Sequence, residues 1–319
     1  MRVSTAQIFN SGTIGMQNRQ YDLYKVQQQM STGRRILTPQ DDPVGASQAL
    51  QVTQWQGVNE QFLKNIGTAN SKLNLLDSTL AGVEQELQAI YERAIQAGNG
   101  SYSPQQRGMI AEELRQRLDG LVSLANTKDG TGLYIFAGFK SSTRPFEANP
   151  PATPPYSLAG NTRVSYNGDG GVEALQVSAT RVMATAENGI DVFMQVRDAA
   201  GNPTGRSIFD GLQNMIDILD PASGMPFDQA SYGQALGDAR AAIDHISTVR
   251  ASVGARMQSL DTMQVTGEDY DVLYQSRLSE LQDLDYVDAA SQLSRLQLQL
   301  EAAQLSFRQT SQLSLFRIL

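Results

Sequence analysis

The residues that could do chemistry are few and scattered. His245 is the sole histidine among 319 residues, and there is no cysteine. A histidine works as general base or metal ligand only beside a suitable partner. Flanked by Ile243 and Ile246 in a segment of helical apolar spacing, His245 reads as structural or as part of a surface. Asp41-Asp42-Pro43 brings two carboxylates together, but adjacent residues do not share a helix face. Aspartate before proline signals first a turn and the start of a helix. Asn167-Gly168-Asp169-Gly170-Gly171 has the flavour of a calcium loop, yet it lacks the spaced carboxylates and closing glutamate that complete such a site. A tight hairpin turn with positive φ at its glycines is expected there. Phosphate-loop, GxSxG and HExxH patterns are missing, so nucleotide, acyl and zinc-peptidase chemistry have no handle. The expectation is a protein that is not an enzyme, with no catalytic, cofactor-binding or metal residues.

Composition narrows the partners. A formal charge of −8 leaves little for a phosphate backbone to bind, and no basic cluster exceeds Arg34-Arg35, so nucleic acid is not expected. No segment approaches the roughly 18 apolar residues of a bilayer span, so membrane insertion is not expected either. The opening residues have one basic side chain and no continuous apolar run, which does not read as a cleaved signal peptide.

The elements that would position any site divide the chain unevenly. Eight of eleven prolines fall between Pro145 and Pro226, leaving both ends free to form long helices. Phe62, Ile66, Ala69, Leu73, Leu76, Leu80, Val83, Leu87, Ile90, Ala94 and Ala97 alternate in steps of four and three, the seam of a coiled coil. A helix from about residue 45 to 98 would be roughly 80 Å long. Ser103-Pro104 reads as an N-cap and first turn of a second helix, with Ile110, Leu114, Leu118, Leu121 and Ala125 on one face. Further helices follow from Ser207 and from about Tyr232, completing an antiparallel bundle. Between them, Leu133–Phe136, Arg163–Tyr166 and Leu175–Ser178 suggest strands. The fold class is mainly α with a small β-rich insert: a long antiparallel coiled-coil or helical-bundle rod built from both chain ends. The domains expected are 1–42 with 280–319 as an inner terminal-helix layer, 43–140 with 207–279 as a helical rod, and 141–206 as a β-rich outer part.

The last helix differs from the long one. Its seam of Tyr286, Ala289, Leu293, Leu296, Leu300, Ala303 and Phe307 is opposed by Leu284, Leu298 and Leu305, so two faces call for burial. Opposite the seam of the long helix stand Lys64, Ser71, Ser78, Gln85 and Glu92, a wet face. The N-terminal arm spreads Ile8, Phe9, Ile14, Tyr21, Leu23, Tyr24 and Met30 around its helix. One partner helix cannot cover two opposed faces, so neighbouring copies are expected to supply the rest. Both ends are expected to be disordered or loosely helical in dilute solution. The candidate assembly residues are these arm residues together with Leu284, Leu293, Leu296, Leu298, Leu300, Leu305, Phe307, Leu315 and Phe316. The glutamines of both arms suit a weakly charged wet surface such as a channel lining, a plain solvated face being the simpler reading. Pro39, Asp41, Asp42 and Pro43 read as the inter-domain connector, one that could hinge.

Both ends resemble the flagellins and flagellar hook-associated proteins. The resemblance is carried by Met1-Arg2-Val3-Ser4-Thr5, Gln29–Ile36 followed by Pro39-Gln40-Asp41-Asp42-Pro43, Val253–Met257, Asp283–Ala289 and Leu313–Leu319. In the interior, Leu133–Gly138 and Tyr166–Asp169 are similar to segments of the junction-forming members, with the filament-forming flagellins the near alternative. The resemblance implies a structural, extracellular flagellar subunit joining hook to filament, exported through the flagellar secretion channel without signal cleavage. It implies four partners: further copies in a ring or helical assembly, the first hook-associated protein, flagellin and an export chaperone. From the residues alone, a secreted coiled-coil adhesin or binding module stays open.

Overall fold

The computed structural model describes residues 5–197 and 201–315, with the side chains of residues 5, 6, 8 and 310–315 outside that description. The chain order is α1 (Thr5–Thr32), α2 (Pro43–Ala97), α3 (Pro104–Ala125), β1 (Phe146–Ala148), β2 (Val164–Tyr166), β3 (Ala174–Gln176), β4 (Val182–Ala184), a π-helical turn (Ile190–Met194), α4 (Ile208–Leu219), α5 (Gln229–Gln282) and α6 (Tyr286–Leu315). The contacts separate two compact units, Met1–Glu60 with Asp269–Leu319, and Gln61–Glu268.

In the second unit the heptad seam is the core. Every seam residue of α2 from Ile66 to Ala97 is buried, whereas Phe62 is half-buried and the predicted wet face, from Lys64 to Glu92, is exposed. Helix α3 starts as its sequence predicts: the Ser103 hydroxyl accepts from the Gln106 amide, the Gln106 side chain returns to the Ser103 amide, and Pro104 follows. It runs antiparallel to α2, as the pairs Arg117–Glu86 at 3.1 Å and Arg93–Glu113 at 2.8 Å require. Helix α5 runs antiparallel on another side. Its Arg250 bridges Asp77 at 3.0 Å and Glu84 at 2.6 Å, and Tyr232 donates to the Ala94 carbonyl.

The insert is less regular than its pattern suggests. Its strands are three residues each, paired antiparallel as β1–β2 and β3–β4, and its other described residues are turns, irregular backbone and the π-helical turn. Leu133–Phe136 forms no strand; Tyr134 makes one isolated bridge with Lys128, while Phe136 turns into the core. There Phe136, Phe146, Phe193 and Phe209 pack with ring centroids 5.0 to 5.8 Å apart. Gly189 admits them, because a Cβ there would lie 2.6 Å from the rings of both Phe146 and Tyr166.

Asn167–Gly171 is not a hairpin. It links β2 to β3, which belong to different ladders, and none of its glycines has positive φ. The positive φ belongs to Gly138, across from it, where Asp169 Oδ1 accepts from the amides of Phe139 and Gly171. A carboxylate can pin two loop amides where a tight turn would otherwise be needed.

Helix α4 is buried along its whole length, polar residues included. The insert covers its polar edge with matched groups. The Arg163 amide donates to Asp210 Oδ1 at 2.7 Å, and the Arg163 Nε donates to the Gln213 side chain at 3.0 Å. Asn214 exchanges two bonds with the backbone of Tyr156, at 2.7 and 2.9 Å. Buried polar groups are tolerable only when satisfied in this way. Asp217 accepts from Gln213 at 2.8 Å, yet burial still pushes its carboxyl above the usual range.

Candidate assembly interface

The first unit is built with little core. Ala49 and Val52 of α2 and Leu281 of α5 are its buried cluster, with Tyr274 and Leu278 packed beside them. Helices α1 and α6 lie antiparallel. The Phe9 and Phe307 rings are 4.9 Å apart, Phe307 also lies over Gly12, and Arg19 donates to the Gln299 carbonyl at 3.1 Å. The seam of α6 faces α1 in part: Ala289 is buried and Leu293, Leu296, Leu300 and Phe307 are half-buried, as are Leu23 and Met30 of α1.

Several large apolar residues of the pair are open. Phe9, Ile14, Tyr21 and Tyr24 on α1 and Tyr286 on α6 are exposed, while Leu298 and Leu305 keep 69% and 52% of their surface in solvent. Leu284 is half-buried at the entrance to α6. The side chains of Ile8 and Leu315, and Phe316 altogether, also candidates from the sequence, lie outside the description. Single exposed apolar side chains are ordinary on a protein surface, whereas a group of this size on both helices of a pair is not.

Pro39, Asp41, Asp42 and Pro43 form a tightly bonded passage from α1 to α2. Asp41 Oδ2 accepts from the Leu37 and Thr38 amides at 3.1 and 2.8 Å, and its Oδ1 meets Lys25 Nζ at 2.6 Å. The Lys25 ammonium, followed by the Thr38 amide, holds the Asp41 carboxyl down at about 2, and Asp41 in turn raises Lys25. Asp42 starts α2, its Oδ1 accepting from the Gly45 amide at 2.9 Å, with Pro43 opening the helix. That amide bond and the Arg35 guanidinium lower the Asp42 carboxyl. Both acids are therefore consumed in turn and cap. Pro39 is exposed.

His245 sits on α5 with its Nε2 2.8 Å from the Asp191 carbonyl, tying the helix to the π-helical turn. Among the described residues no three His, Asp or Glu side chains gather where they could hold a metal ion, and no helix is long and apolar enough to cross a membrane. The sequence pattern did not reveal the polar clasp on α4, nor Arg35 as a partner of Asp42. The partners of the α4 groups lie 47 to 58 residues away along the chain, and Arg35 reaches Asp42 only because the chain turns between α1 and α2.

Residues 3–141 match the family model of the bacterial flagellin N-terminal helical region. Over 100% of its length the chain is 30% identical to flagellar hook-associated protein 3 of Salmonella typhimurium, covering 99% of that protein. The chain belongs to the hook-associated protein 3 family. The Escherichia coli member is likewise 30% identical, with 100% and 99% covered. The fold matches the crystal structure of the flagellar junction protein from Legionella pneumophila with a TM-score of 0.59, over 74% of this chain and 100% of that one, at 22% identity. The family is a structural component of the flagellum, and the helical ends with a small β-containing middle are its fold.

Proposed function

We propose that this family member joins hook to filament, packing its α1 and α6 helices against neighbouring subunits. The observation that carries the proposal is the open apolar surface on both helices of the terminal pair, Leu298 and Leu305 above all, in a chain similar over its full length to hook-associated protein 3. Large apolar side chains contribute about 1.5–3 kcal/mol each when buried, so such a surface favours assembly once neighbours arrive. In this reading residues 1–42 and 280–319 form the terminal-helix assembly domain, 43–140 and 207–279 a helical rod, and 141–206 a β-rich outer part. The assembly residues are those set out from the sequence. The partners are further copies, the first hook-associated protein on one side, flagellin on the other, and an export chaperone before assembly. Export proceeds through the flagellar channel without a cleaved signal, and no catalysis is involved.

Deleting the gene in its host and examining flagella by electron microscopy tests this. Hooks without filaments, with flagellin shed into the medium, are expected. Loss of filaments without shed flagellin would make the chain a filament subunit, and intact flagella would make it a separate binding module.

A further inference from the structure

Within the first unit the chain reverses twice, from α1 to α2 through residues 33–42 and from α5 to α6 through residues 283–285. The two reversals bond to each other. The Arg35 amide donates to the Gln282 carbonyl at 2.7 Å, the Leu284 amide donates to the Gly33 carbonyl at 3.0 Å, and Arg34 and Asp283 form an isolated antiparallel bridge. The Arg35 guanidinium then crosses between them, one nitrogen donating to the Leu281 carbonyl at 2.9 Å and meeting Asp42 Oδ2 at 3.2 Å. Gln29 donates to the Arg35 carbonyl at 2.6 Å from the last turn of α1. Gly33 makes the geometry reachable: its φ of +70 exposes its carbonyl to the partner segment, and little room remains beside it, a Cβ standing 3.1 Å from the Tyr286 hydroxyl.

Each group in this set has a local alternative. A helix C-terminal carbonyl such as that of Leu281 is ordinarily capped by its own chain or by water, and an exposed arginine is ordinarily solvated. Here the cap of α5 comes from the segment that leads into α2, and the Asp42 that starts α2 holds that arginine in place. We infer that the two reversals are a single joint pinned by Arg35, so that the end of α1 and the start of α6 order and loosen as one cooperative element. A joint of this kind sets the register of the terminal pair from its base, before any neighbouring subunit contributes.

The prediction is read by hydrogen exchange with mass spectrometry on the full-length chain. In the unmodified protein, peptides covering 33–37 and 281–286 exchange with one common protection. In Asp42→Asn, which keeps an oxygen to cap Gly45 but loses the charge facing Arg35, both segments accelerate together by about tenfold, the scale of a lost charge-assisted bond. Arg35→Gln accelerates the 281–286 peptide at least as much. From the opposite side, Leu284→Pro removes the amide donated to Gly33 and raises the rate of tryptic cleavage after Arg34 and Arg35. Independent exchange of the two segments, acceleration of one alone, absence of protection in both, or unchanged cleavage in Leu284→Pro would each overturn the single joint.

Discussion

Replacing Leu298 and Leu305 together by alanine separates assembly from folding. In the free chain these side chains are 69% and 52% exposed, so slightly more than one leucine's worth of apolar surface awaits cover. At about 1.5–3 kcal/mol for a fully buried leucine, and with alanine keeping its own methyl, the loss on assembly is about 1–3 kcal/mol per subunit. That corresponds to about 5- to 150-fold in subunit affinity. The fold itself should change by no more than about 0.5 kcal/mol, because the residues removed are surface ones and alanine is the strongest helix former. The assay is complementation of a deletion strain with the variant under a titratable promoter, scoring filament-bearing cells and shed flagellin, with a thermal melt of the purified chain as control. The expression needed for half of the cells to carry filaments should rise by about that factor while the melting temperature holds. Filaments restored at unmodified expression by a variant that folds normally would refute the claim that these leucines are covered by neighbours.

Gly189→Ala forces a methyl to within 2.6 Å of the Phe146 and Tyr166 rings, and overpacking of this kind should cost about 3 kcal/mol, seen as a fall of about 6–12 °C in melting temperature. Asp217→Asn should raise the melting temperature at neutral pH, because burial disfavours the charged carboxylate. A group whose folded pKa is raised binds its proton more readily in the fold, so the unmodified protein recovers stability as pH falls through that value and the advantage of the variant shrinks; melts at several pH values check this. Asp41 behaves in the opposite sense. Its pKa is lowered from 3.8 to about 2, so its stabilisation is complete above about pH 4 and is lost as pH falls toward 2; acid titration of helix content should show this step in the unmodified chain and not in Asp41→Asn.

The long seam of α2 was legible because its residues repeat strictly and their partners, α3 and α5, carry the same kind of face. The cap of α3 was legible because a serine followed by proline is a local signal. The second apolar face of α6 was legible too, since periodicity counts faces whether or not the partner is known. Local pattern failed where a distant segment decides. Nothing in the local pattern of α4 says that Asp210 and Asn214 are buried, because the backbone amides of Arg163 and Tyr156 that satisfy them come from the insert. Asn167–Gly171 read as a hairpin because its glycines permit one, whereas Asp169 binds loop amides instead. Arg35 carried no signal at all, because a basic residue after a helix is ordinary and only the fold brings the Leu281 carbonyl beneath it.

Helix α4 has no side that touches water, and its polar edge is read residue by residue by the insert. The two segments therefore behave as lock and key within one chain. A foreign peptide or a transplanted outer segment placed between residues 149 and 163 would strip Asp210 of the Arg163 amide and Asn214 of the Tyr156 backbone, leaving buried polar groups on α4 short of partners.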